Sequence, residues 1–310
     1  MDPDDIDGYR GLAFIAEAHG DHEKSLELLN QALVVMEECN SHYDWLIRHK
    51  VKMLRRLGRY EDALSYVAEA VERYQLEDAL QLQFDICCQF GLWDRAMQVL
   101  DRWKRENRND PNLMAATAKL NMLQGKLFKA SLAMGQVKHK LPARQIEDFR
   151  LQLNELECNH ERRIQILSHR VEQNPADDHM VLNLAHALCH AGKTDAAQGA
   201  AIKALKLLDE KLSHDPKNEA LYRSRRCLAL AILGRSEEAK AELEKTRKLP
   251  LCDFCEYGTC KDADIYEAFI EEILGNNEHA VKLYTAGRTN WPDELDFAAG
   301  EARMKKKGRK

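Results

Sequence analysis

Apolar and small residues recur along this chain at helical spacings, interrupted at near-constant intervals by a short polar break. Between Asp44 and Gln75, Leu54, Leu57, Ala63, Val67, Ala70 and Val71 fall on the i, i+3, i+4 positions of two helices that flank Gly58-Arg59-Tyr60-Glu61. This predicts two amphipathic helices joined by a tight turn. The same break returns at Gly20, Gly91, Gly125, Gly192, Gly234 and Gly275, and five residues after each glycine stands a small residue: Ser25, Ala63, Ala96, Ala130, Ala197, Ala239 or Ala280. The glycine supplies a left-handed backbone that ends the first helix, and the small residue lets the second pack closely against it.

The glycines are 38, 33, 34, 67, 42 and 41 residues apart, so the longest interval holds two units with one glycine missing. A period of this length predicts an all-α solenoid in which each hairpin covers the apolar face of its neighbour. Counting back from Pro175 puts Cys158 at the glycine position and Arg163 at the small position of the degenerate unit near 143–175. A looser hairpin is expected there. After Gly192 the second helix is expected to run on past Leu212 until His214-Asp215-Pro216 stops it, with Asp215 or Asn218 capping the next helix.

Gly followed by an acidic residue, then Ala, a second Ala seven residues later and sometimes a closing proline (Pro111, Pro175, Pro292), resembles the tetratricopeptide repeat. Gly20-Asp21 with Ser25 and Ala32, Gly58 with Ala63 and Ala70, and Gly192 with Ala197 and Ala204 carry the resemblance. It implies a right-handed superhelix of about eight hairpins, about seven over 1–249 and a terminal one at 263–300; the residues themselves mark a Cys-rich loop at 250–262 and predict a basic disordered tail at 301–310. The resemblance also implies that the first helix of each unit lines a concave groove.

Counted from the glycines, groove positions of the Gly58 unit are Trp45, Arg48, His49, Lys52, Arg55 and Arg56, with Arg10 beside them. Such a cluster is expected to hold an acidic or extended partner segment, unless nearby Glu and Asp merely balance a solvated face. The Gly192 unit offers His179, Asn183, His186, Cys189 and His190, joined by Arg225 from the next unit. His186 and His190 are four apart, a spacing that serves either a metal or a polar groove wall. The clamp by which some family members hold chaperone tails is not carried over, because Asp148, Gln152 and Leu221 occupy its Lys, Asn and Lys positions.

Composition changes the picture at one place. Cys252, Cys255 and Cys260 fall within a dozen residues, and a CxxC pair chelates an ion from a single turn. Zinc is the expected occupant, with His214 as fourth ligand, and an iron–sulfur cluster the lesser alternative; free or redox-active thiols are the non-metal reading. The net charge of −5 is mild, and no uninterrupted apolar stretch suggests a membrane span. The nine cysteines are scattered, and the start is acidic where a signal peptide is basic and then apolar. A cytoplasmic protein with reduced thiols, no membrane partner and no nucleic-acid partner is expected.

Phosphate loops, GxSxG elbows and HExxH helices are absent from the sequence. The expected function is a non-catalytic interaction scaffold. The alternative is a metal- or redox-responsive regulator working through the cysteine loop.

Overall fold

A computed structural model describes residues 6–38, 44–74, 78–215, 218–249 and 261–308. Among these the chain is all-helical, with seventeen helices in sequence: α1 (Ile6–Ala18), α2 (His22–Glu38), α3 (Asp44–Arg56), α4 (Tyr60–Tyr74), α5 (Ala79–Gln89), α6 (Trp93–Glu106), α7 (Pro111–Leu123), α8 (Leu127–Val137), α9 (Ala143–Leu156), α10 (His160–Gln173), α11 (Asp178–His190), α12 (Thr194–His214), α13 (Glu219–Ile232), α14 (Ser236–Thr246), α15 (Lys261–Ile273), α16 (Asn277–Asn290) and α17 (Leu295–Lys307). Sixteen pair as eight successive hairpins. The helices divide into two compact units, α1–α6 up to Arg108 and α7–α17 from Asn109 onward.

Each hairpin turn is made the same way. The seven repeat glycines all have positive φ, between 67° and 81°. The residue after each glycine donates its N–H back to the carbonyl five residues earlier, as from Arg59 to Leu54 (2.8 Å) and from Lys193 to Leu188 (2.9 Å). This is the Schellman closure, which satisfies carbonyls the helix end would otherwise leave orphaned. The small residues five positions on are all buried. In the degenerate unit Cys158 takes the same left-handed conformation at φ 53° and closes the same bond, Asn159 N–H to Asn154 O, at 2.7 Å. The turn therefore survives without glycine. Arg163 takes the place of alanine and is buried against Glu155 at 3.0 Å, and α9 packs on α10 less closely than the flanking pairs do on one another.

The core of the first unit gathers Leu29, Met36, Leu46, Ile47 and Met53, all fully buried. Helix α12 runs its full expected length, to His214. Asp215 accepts from Tyr222 Oη (2.8 Å) and Asn218 Nδ2 (2.9 Å), and Asn218, at the cap position of α13, makes no side-chain cap bond.

The C-terminal end departs from expectation. The tail expected to be disordered is helical to Lys307, and a third helix, α17, follows the terminal hairpin. It approaches α16 through two glycines: a Cβ on Gly287 would lie 2.1 Å from the Phe297 ring, and one on Gly300 2.1 Å from the Tyr284 ring.

Two changes probe these contacts. Cys158→Gly removes the cost of a side chain in a left-handed turn, about 1 kcal/mol, and should raise the denaturant midpoint. Gly287→Ala forces a methyl into the Phe297 ring and should destabilise the fold by about 1–3 kcal/mol, read as a lower denaturant midpoint.

Candidate functional site

In the first unit, cations expected at groove positions are engaged by neighbouring first helices. Glu17 of α1 is buried beneath α3, where His49 Nε2 (2.7 Å), Lys52 Nζ (2.6 Å) and Arg56 Nη1 (3.0 Å) converge on its carboxylate. Burial alone would raise its pKa, but the bonds from His49 and Lys52 and the charges of Lys52 and Arg56 outweigh it and hold the value at about 2. Arg48 pairs with Asp78 and Arg55 donates to Gln89 of α5. Arg10 lies over the Trp45 ring, 4.8 Å from its centre. Arg56 keeps Nε and Nη2 buried without a protein partner. This basic row stitches one hairpin to the next.

In the second unit a cavity of about 350 Å³ is bounded by α9, α10, α11, α13, α15 and the start of α17. Asp148 and Gln152 of α9, His179 and Asn183 of α11, Arg225 of α13 and Tyr266 of α15 line it, and Glu294 and Asp296 at the start of α17 close one wall. Its cations are mostly matched. Arg170 bonds Glu147 (3.0 Å) and Asp148 (2.6 Å), Arg225 bonds Asp178 (2.8 Å), and Lys261 bonds Glu294 (2.7 Å). Asp296 is pushed well above the usual carboxylate range by burial and by Glu155 and Glu294. Burial, with the Arg225 charge, lowers His179 to about 4, so near neutral pH it is an uncharged donor and acceptor.

The histidine row is divided by the fold. His179 and Asn183 line the cavity, whereas His186 and His190 turn into a buried cluster. Their Nε2 atoms are 2.7 Å apart, so one ring donates to the other and the i, i+4 spacing serves a hydrogen bond. His190 stacks on His160 at 5.4 Å, and His186 lies against Phe269 at 4.3 Å. Burial, reinforced by neighbouring cations, lowers the pKa of all three histidines.

The expectation of zinc, or of an iron–sulfur cluster, is overturned. Among the described residues no group of three or more His, Cys, Asp or Glu is placed to hold a metal. His214, assigned as fourth ligand, has its Nδ1 2.7 Å from the Glu210 carbonyl oxygen and 2.8 Å from Ser213 Oγ. Cys252, Cys255 and Cys260 lie outside the described residues. Cys87 and Cys227 are free thiols that burial raises to about 11 and about 12, far from a reactive thiolate.

The residues that inspection of the sequence missed are Glu155, Glu272, Tyr284 and Arg303, which join α9, α15, α16 and α17. The available signal was Glu271-Glu272 inside the apolar run Phe269–Leu274, and Arg303 in register with Phe297 and Gly300.

No protein-family model matches the chain, and no curated protein does. Solved structures that it resembles include a tetratricopeptide repeat protein from Parabacteroides merdae (14% identity, 95% of this chain and 98% of that one, TM-score 0.34). The Cut9–Hcn1 hetero-tetramer of the APC/C (12%, 91% and 52%, TM-score 0.46) and Naa15/Naa10 bound to HypK-THB (13%, 95% and 54%, TM-score 0.35) are also similar. The chain spans about half the length of each of the latter two matched chains. No described helix is long and apolar enough to cross a membrane.

Neutral burial of the histidines has a signed consequence. Unfolded, each ring takes up a proton near pH 6.5; folded, it does so only at lower pH, so stability is complete above 6.5 and is lost as the pH falls below it. Thermal melts should show a midpoint that drops between pH 7 and 5, with about 1–2 kcal/mol lost per fully buried ring at pH 5. Because buried Asp296 takes up a proton in the opposite sense, a flat midpoint over that range in the Asp296→Asn background would exclude neutral burial.

Proposed function

We propose that the chain is a non-catalytic protein-interaction scaffold and that the cavity of the second unit is where it takes an extended segment of a partner protein. The observation that carries this is the meeting of residues from α9, α10, α11, α13, α15 and the start of α17 on one cavity of about 350 Å³ within the second unit. A space of that size accepts a few side chains of a segment rather than a folded surface.

The wall chemistry suits a main chain. Asn183 and uncharged His179 offer neutral donors and acceptors in the midst of paired charges, and Arg225, bonded to Asp178 through Nη1, keeps an Nε without a hydrogen-bond partner for a carbonyl or carboxylate. Arg48, Lys52 and Arg55 are not assigned to the partner, because Asp78, Glu17 and Gln89 already engage them. Specificity for an acidic segment would require exchange of those internal bonds. His186 and His190 support the wall from behind.

A photo-crosslinking phenylalanine at position 183 tests the proposal against the same group at exposed Lys203 of α12. Covalent protein adducts should form from position 183 in native extract and fall at least tenfold when Arg225→Ala is added. Equal adducts from position 203, or none from 183, would refute it.

A further inference from the structure

Beside the cavity lies a second feature, with its own chemistry. Arg303 of α17 is 3% exposed, and its guanidinium is shared among three helices. Nη1 donates to Glu155 of α9 (3.0 Å), Nε to Glu272 of α15 (3.1 Å) and Nη2 to Tyr284 Oη of α16 (3.2 Å), above the Phe269 ring at 5.3 Å. Lys307, one helical turn on, reaches Glu272 at 3.1 Å. The side chain of Glu272 is fully buried and also accepts from Tyr284 Oη at 2.6 Å.

A carboxylate with no access to solvent requires a cation, and the floor on α9, α15 and α16 is shaped for a planar one. The seat is continuous with the cavity, since Glu155 and Phe269 belong to both. The two halves of α17 are held differently. Leu295 to Gly300 is fixed by ring-to-backbone fit, with Phe297 fully buried against Gly287 and Gly300 beneath Tyr284. From Glu301 onward the attachments are Arg303, Met304, the bonds Glu301 accepts from Thr285 (3.1 Å) and exposed Arg288 (3.0 Å) of α16, and the bond from half-exposed Lys307 to Glu272. Because an incoming arginine would keep Glu155 and Glu272 paired, replacement of the second half avoids the cost of an uncompensated buried charge.

We infer that this seat is a subsite for an arginine presented on a helix, that the last two turns of α17 are its resident occupant in cis, and that a partner helix bearing Arg with Lys four residues later displaces them. The inference rests on the reading that the cavity face receives a partner. It adds the chemistry of that partner and a built-in competitor for it.

The probe is a fluorescent peptide copying residues 295–308, titrated onto the full chain and onto its Arg303→Gln variant. The variant, whose own helix holds the seat weakly, should bind the peptide at least tenfold more tightly than the parent chain. A peptide with glutamine at the position of Arg303 should lose that gain. Equal affinity for both chains, or binding to neither, overturns the inference. If Arg303→Gln fails to fold by circular dichroism, Lys307→Gln takes its place and should bind at least threefold more tightly than the parent, with equal affinity again decisive against. Crosslinking from position 183 that persists while the peptide fails to discriminate would remove the resident-helix inference alone. The converse result would remove the cavity as the partner site.

Discussion

Every hairpin in both units depends on one residue that holds positive φ and closes a bond from the next N–H to the carbonyl five residues earlier. That closure reverses the chain while leaving no helix-end carbonyl orphaned, and it sets the buried small residue where the second helix meets the first. Without it the apolar stripes would not face one another. Cys158 shows how strong the constraint is, because a residue with a Cβ is driven into the same conformation at φ 53°. The cost of that turn is small beside the burial of two amphipathic faces.

Charge is used in this fold mainly to join neighbouring elements. Glu17 gathers His49, Lys52 and Arg56 of α3, Asp178 takes Arg225 from α13, and Arg303 ties α9 to α15 and α16. The basic row of α3 is thus engaged by neighbouring helices, Arg48 with Asp78, Lys52 with Glu17 and Arg55 with Gln89. What remains open is the cavity lined by His179, Asn183 and Arg225, where the walls are close to electrically balanced and the neutral groups carry the hydrogen-bonding capacity.

The histidines illustrate how one sequence pattern divides under packing. His179, Asn183, His186 and His190 share a helical spacing, yet the first two reach the cavity and the last two turn under α15. Spacing defines a stripe, and where the neighbouring helix lies decides which part of it is covered. The placement of α17 was hidden for a related reason. Lys305, Lys306 and Lys307 make the segment read as a solvated end, whereas Leu295, Phe297, Gly300 and Arg303 are the side that is buried.

Local patterns determined the repeat: the glycine positions, the small residues five later, the substitution of Cys158 and Arg163, and the long α12 all depend on contacts within one hairpin, which neighbours in sequence encode directly. Only the tertiary structure decided the partners of the charges. Glu155 and Arg303 stand 148 residues apart, and Asp178 and Arg225 47 apart, and no periodicity relates such positions. Their meeting follows from how successive hairpins of the second unit stack, so the fate of each groove residue is a property of the assembled array.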